Sequence, residues 1–259
     1  MKMSFKNNFS RNRIIFICTL VAYAVLALIV SFFHIEFSSF KNTDIFAPVW
    51  YFITMSGGVY GGVIIILLSL VYLAVNFRMF KRRQRDVYIF IGILTAFQII
   101  AAGASLYYVK DFFQSYRPSQ LYLTENGVIE NRDEFTKLSI AEKRVYLHHK
   151  IDTSKNFVKE IYPPILESWI YDSGFSFPSG HSQTAFFIGP LMAFMIYRTT
   201  TKKFYFLIPL IWALLVPISR VVIGIHYPAD VLAGAALGMC LSFIVISMKS
   251  VNRIFNWLS

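Results

Sequence analysis

Residues 14–33, IIFICTLVAYAVLALIVSFF, contain no charged side chain. A run of that length crosses the hydrocarbon of a bilayer as a helix, because lipid offers the backbone no hydrogen-bond partners and the segment must satisfy its own. Five more apolar runs follow, at 59–77, 87–109, 182–197, 204–222 and 229–248; the fourth is short and interrupted by Pro190. The pattern predicts an all-α polytopic membrane protein of six transmembrane helices, forming one domain over residues 1–259. Composition agrees with that class: 56% of residues are hydrophobic, 15% are charged, and the mean hydropathy is +0.54. No internal repeat and no low-complexity linker divides the chain.

The basic start, with Lys2, Lys6, Arg11 and Arg13, resembles the first region of a signal peptide. The apolar run behind it is too long for one and no small-residue cleavage site follows, so an uncleaved first helix is expected. Residues 110–177 are the one sizeable polar region. Within it, Ser139 and Glu142 have capping-box spacing and predict a helix to about Lys150. Pro163-Pro164 breaks the chain, and residues 165–171, with Trp169, read as an interfacial segment.

The net charge of +11 would suit a nucleic-acid binder, but no such motif is present. The basic residues flank the apolar runs, where anionic membrane lipids are the expected partners. The N-terminus, the loops at 78–86 and 198–203 and the C-terminus hold 14 of the 25 Lys and Arg residues and one acid, Asp86. The positive-inside rule therefore predicts cytoplasmic termini, with the 110–177 region and the loop between the fifth and sixth runs facing outward. Cys18 and Cys240 lie in apolar runs and read as small core hydrophobes. The adjacent His148 and His149 cannot share a helix face, so they read as a solvated pair and no metal site is expected. The Gly234-x-x-x-Gly238 pair predicts close helix packing inside the monomer.

Three polar clusters interrupt this apolar pattern. In 219–230 the sequence SRVVIGIHYPAD sets Arg220, His226 and Asp230 between two apolar runs. Pro228 is placed to begin a helix, which would put Asp230 one turn beyond His226 on the same face. A carboxylate there can hold the imidazole proton on one ring nitrogen and leave the other free to attack. The second cluster, 110–118, carries Lys110 and Arg117; the third, 177–181, carries Ser179, Gly180 and His181. Each has a plain alternative, as interfacial anchors or as a turn and helix cap. The topology, drawn from hydropathy and charge alone, sets all three clusters on the outward face. Lys110, Arg117 and Arg220 match a dianionic phosphoryl group. Ser179 and Gly180 open a helix whose free N–H groups favour an anion, and two histidines remain for attack and protonation. Such a set needs no metal or other cofactor.

Lys-x6-Arg-Pro at 110–118, Pro-Ser-Gly-His at 178–181 and Ser-Arg-x5-His-x3-Asp at 219–230 resemble the three-part signature of the type 2 phosphatidic acid phosphatase superfamily. The loop length and the Ser173–Phe177 lead-in are most similar to its bacterial phosphatidylglycerophosphatase B branch, whose members also act on undecaprenyl pyrophosphate. The resemblance implies that His226 is the nucleophile, oriented by Asp230, and that His181 is the general acid. It implies that Lys110, Arg117, Ser179, Gly180 and Arg220 hold the phosphate. It leads us to expect an integral bacterial inner-membrane enzyme, termini cytoplasmic, that hydrolyses the terminal phosphate of a lipid phosphomonoester or pyrophosphate at the periplasmic face through a phosphohistidine. A lipid A phosphatase or a lipid-to-lipid phosphotransferase are alternatives. A transporter fits less well, since its polar groups belong near the membrane midplane. The partners expected are a lipid phosphate substrate and membrane lipids, with no nucleic acid; oligomeric state is not legible.

Overall fold

The computed structural model describes residues 5–32, 44–58, 61–68, 109–153 and 160–256, with positions 71, 89, 92–94, 96 and 98 between. The first apolar run, as far as Ser31, folds within helix α1 (Phe5–Ser31). Ile15, Leu26 and Val30 face the protein, while Val21 and Leu28 are exposed on the other side, as a lipid-facing stripe requires. Thr19 Oγ donates to the Ile15 carbonyl at 2.8 Å, so its hydroxyl is satisfied inside the helix. After α2 (Ala47–Ser56), with a proline in its first turn, Gly57 and Gly58 break the helix.

The polar region folds into short helices: α3 (Lys110–Phe113), α4 (Pro118–Glu125), α5 (Arg132–Lys137), α6 (Ile140–Thr153) and α7 (Pro163–Tyr171). Helices α4, α5 and α6 each have a local reason to start. Pro118 opens α4; the Asn131 side chain accepts from the Asp133 and Glu134 amides to cap α5. Ser139 and Glu142 form the expected capping box of α6, the Ser139 amide donating to Glu142 Oε2 at 2.7 Å and the Glu142 amide to Ser139 Oγ at 3.3 Å. These helices close over their own core of Leu123, Ile129, Phe135, Leu147, Ile165 and Trp169, which continues onto Ile223 and Ile225. Within 165–171, Trp169 belongs to this core and does not face lipid. Trp169 is 1% exposed, and its Nε1–H donates to the Ile223 carbonyl at 2.8 Å. A buried indole needs such an acceptor, and burial of a large side chain there stabilises by about 1.5–3 kcal/mol.

The remaining runs form α8 (Gly180–Thr199), α9 (Leu207–Val222, entered through a 3-10 turn at Lys203–Phe206) and α10 (Pro228–Ser247), followed by α11 (Lys249–Asn256). Helices α8, α9 and α10 pack together, with α1 against them. Small residues allow the approach. A methyl group at Gly234 would overlap the Ser179 carbonyl, and one at Gly238 the Gln183 carbonyl, so the predicted glycine pair seats α10 on α8. A buried bond from Asn12 Nδ2 to Asn252 Oδ1, 3.0 Å, ties α1 to α11.

Among the described residues there is no β-strand beyond one bridged residue at Ile161, and the fold is helical. Among the described residues, three helical stretches are long and apolar enough to cross a membrane: Asn12–Ser31, Lys203–Val222 and Pro228–Ser247. Helix α8 is equally long, but His181, Ser182, Gln183 and Thr184 in its first turns lower its hydropathy. Much of the runs expected at 59–77 and 87–109, and the basic loop between them, lie outside the described residues.

Candidate active site

The turn between α9 and α10 sets the site. Helix α9 ends at Val222, and Gly224, with φ of 69°, supplies the left-handed step that folds the chain back. The amides of Ile225 and His226 then donate to the Arg220 carbonyl at 3.1 and 3.2 Å. Pro228 occupies the first turn of α10, and the Tyr227 amide donates to Asp230 Oδ2 at 2.8 Å. That bond caps the helix and aims the carboxylate back toward His226. Asp230 Oδ2 lies 3.4 Å from His226 Nδ1.

Segment 172–177 runs alongside. The Ser176 amide donates to the Ser115 carbonyl at 2.8 Å, and Gln120 Nε2 to the Ser173 carbonyl at 2.8 Å. Ser176 Oγ thereby stands 3.1 Å from His226 Nδ1 and donates to Asp230 Oδ2. On the other side of the ring, Arg117 Nη1 lies 3.1 Å from His226 Nε2. Arginine has no acceptor, so this hydrogen bond requires an unprotonated Nε2. The ring proton then sits on Nδ1, which donates to Ser176, which donates to Asp230. Burial, and then Arg117, Arg220 and Lys110, hold the His226 pKa well below its ordinary value. The imidazole is therefore neutral, with the Nε2 lone pair turned toward the cations.

Arg117 is fixed by three carbonyls: Gly174 at 2.8 Å, Phe175 at 3.2 Å and Ile225 at 3.3 Å. Burial lowers its pKa to about 10, so it stays charged at neutral pH. Lys110 Nζ donates to the Phe175 carbonyl at 2.7 Å. Burial, followed by the neighbouring Arg117, pushes Lys110 down to about 7. Arg220 is 2% exposed; its Nη1 donates to Thr54 Oγ1 at 3.1 Å and its Nη2 pairs with Asp172. Burial pushes the Asp172 carboxyl up, but Arg220 and Arg117 outweigh it and hold it below the usual carboxylate range. Arg220 Nε is buried with no partner among the described residues. A guanidinium donor left unsatisfied in a cleft is an invitation to an anion.

Lys110, Arg117, Gly180, His181, Arg220 and His226 line one cavity of about 660 Å³. Two expected site residues stand behind its wall. Asp230 lies there, 3.4 Å from His226. Ser179 is engaged within the protein: its amide donates to the Asp230 carbonyl at 3.0 Å, and its hydroxyl accepts from Ser182. The first-turn amides of Gly180 and His181 have no acceptor among the described residues. Above them the cavity turns apolar, with Val63, Ile66 and Ile188 on its walls. Among the described residues no group of three or more metal-ligating side chains converges.

The arrangement is a buried neutral histidine facing fixed cations beside a helix start, and a family model described as the PAP2 superfamily matches residues 87–254. The chain belongs to the PAP2 superfamily. Phosphatidylglycerophosphatase B of Bacillus subtilis is 36% identical over 96 residues, covering 35% of this chain and 47% of that protein. Phosphatidylglycerophosphatase B of Haemophilus influenzae is 28% identical over 252 residues, covering 90% and 96%. Undecaprenyl-diphosphatase of Sulfolobus acidocaldarius is 35% identical over 99 residues, covering 38% and 44%. The chain thus spans about half the length of the first and third of these relatives.

In this PAP2 chain, Ser176, Asp172 and Thr54 are site residues that sequence reasoning missed. Ser176 and Asp172 lie within ten residues of His181, so their nearness to the third cluster was the available signal. Thr54, in α2, reaches Arg220 from 166 positions away and carries no sequence signal.

Proposed function

We propose that the protein is an integral-membrane lipid phosphatase that removes the terminal phosphate of a lipid phosphomonoester or pyrophosphate through a phosphohistidine at His226. The observation that carries this reading is the two-sided engagement of His226: Nδ1 tied to Ser176 and Asp230, Nε2 held at 3.1 Å from Arg117. A phosphoryl group that takes up the Arg117 bond presents its phosphorus to the freed lone pair. Lys110, Arg117, Arg220 and the amides of Gly180 and His181 receive its oxygens. Nε2 attacks phosphorus, the bond from phosphorus to the lipid oxygen breaks, and His181, protonated once the bound phosphate dianion offsets the surrounding cations, gives that oxygen a proton. Water then attacks the phosphohistidine, His181 recovers a proton from it, and inorganic phosphate leaves. The transition state is stabilised mainly by positioning and charge. The apolar wall of Val63, Ile66 and Ile188 suits the hydrocarbon of a lipid. The names of the relatives support phosphatidylglycerophosphate and undecaprenyl diphosphate as substrate classes. The charge asymmetry of the loops supports a site on the outer, periplasmic face of a bacterial cytoplasmic membrane.

The test is phosphate release by the purified protein in detergent, without added metal, from phosphatidylglycerophosphate, phosphatidate and undecaprenyl pyrophosphate. Release from at least one, lost on His226→Ala in a protein that remains folded, is expected. Turnover that appears only with added magnesium or zinc contradicts the mechanism.

A further inference from the structure

The cavity does not end at the phosphate cations. It continues between α6 and α7, where Lys143 and Arg144 line it. Lys143 is 6% exposed, and its Nζ lies 5.6 Å from the ring centroid of Phe135 and 5.4 Å from that of Phe175. Among the described residues it has no carboxylate within ion-pair distance. Arg144 stacks over Tyr171 at 4.0 Å and donates from Nε and Nη2 to the Tyr171 carbonyl, bonds that do not involve Nη1.

Phe175 joins the two groups of cations. Its carbonyl accepts from Lys110 and Arg117, and its ring faces Lys143. The lining therefore holds five cations, Lys110, Arg117, Lys143, Arg144 and Arg220, against two carboxylates, Asp111 and Asp172, the second paired with Arg220. One phosphomonoester dianion at His226 leaves Lys143 and Arg144 without an anion. A lysine held out of water with no counter-charge is costly, and the cost is offset when a ligand supplies the charge.

We propose that Lys143 and Arg144 form a second anion subsite, which takes the second phosphate of a lipid head group whose terminal phosphate is at His226. This rests on the phosphatase reading above and narrows it to lipids bearing two phosphates, adjacent as in a pyrophosphate or separated as in phosphatidylglycerophosphate. Phosphatidate, with one phosphate, leaves the subsite empty.

Two measurements on the full chain in detergent test this, with Lys143→Met to keep the packed stem and Lys143→Arg to keep the charge. In the first, KM is compared on phosphatidate, phosphatidylglycerophosphate and undecaprenyl pyrophosphate. Lys143→Met should raise KM about tenfold for the lipid whose phosphate spacing fits the subsite and change phosphatidate by less than about twofold, with Lys143→Arg restoring the wild-type value. An equal rise on all three lipids overturns the subsite. The second needs no turnover: calorimetric binding of methylenediphosphonate, of glycerol 1,3-bisphosphate and of inorganic phosphate. Wild type should prefer one of the two bisphosphates over inorganic phosphate about tenfold, and Lys143→Met should lose that preference. No preference for either in wild type overturns the subsite even if the protein hydrolyses lipids. A preference without lipid turnover leaves the subsite standing and counts against the reaction.

Discussion

Ser176 is the residue that most changes the account of His226. The spacing of His226 and Asp230 implies a direct carboxylate–imidazole contact, and the structure puts a hydroxyl in reach of both. A hydroxyl that accepts from Nδ1 and donates to the carboxylate fixes the ring tautomer, and so acts on the chemical step rather than on binding. Ser176→Ala should lower kcat about tenfold at nearly constant KM, and Ser176→Thr should recover most of it. Wild-type kcat in Ser176→Ala would show that Asp230 orients the ring by itself. The difference in legibility has a physical cause. His226, Asp230 and Arg220 belong to one turn between two helices, where short-range geometry ties sequence spacing to spatial position. Ser176, Asp172 and Thr54 meet that turn only because segments remote in sequence dock against it, held by bonds such as Ser176 to Ser115. Ser179 illustrates the reverse: its place at a helix start was legible, but its amide turns to the Asp230 carbonyl, a tertiary contact that spacing does not reveal.

Among the helices, the decisive contact is α8 on α10, since it brings His181 beside the turn that carries His226. Lipid tails are as apolar as the side chains they replace, so this contact depends on close van der Waals packing rather than on the exclusion of water. Gly234 and Gly238 make it possible. Alanine is the better helix former by about 1 kcal/mol, so propensity alone predicts that Gly238→Ala stabilises the protein. The structure predicts the opposite. The added methyl would meet the Gln183 carbonyl, an overpacking cost of about 1–3 kcal/mol, and should lower the melting temperature in detergent by roughly 5 °C. An unchanged or raised melting temperature would mean that α8 and α10 are not seated through this glycine. The long helices were legible because apolar runs of about twenty residues leave few other structures. Helices α4, α5 and α7 were not, because six to nine residues are too few to establish a period and such helices owe their stability to packing.

At the scale of the molecule, the site lies at a seam. One side is the bundle of α1, α8, α9 and α10; the other is the cap of short helices over Leu123, Phe135, Leu147 and Trp169. The cations come from both sides, Arg220 from the bundle and Lys110, Arg117, Lys143 and Arg144 from the cap. A charged head group can thus be enclosed while its hydrocarbon stays against apolar walls. In the proposed mechanism, phosphorus is transferred to His226 before water takes it. The direct measurement is to mix the protein with a lipid substrate radiolabelled in its terminal phosphate and quench within one turnover. The mechanism predicts label on the protein, stable in alkali and lost in acid as phosphohistidine is, and absent from His226→Ala. Label on another residue, or none, together with His226→Ala turnover within about tenfold of wild type, would contradict it.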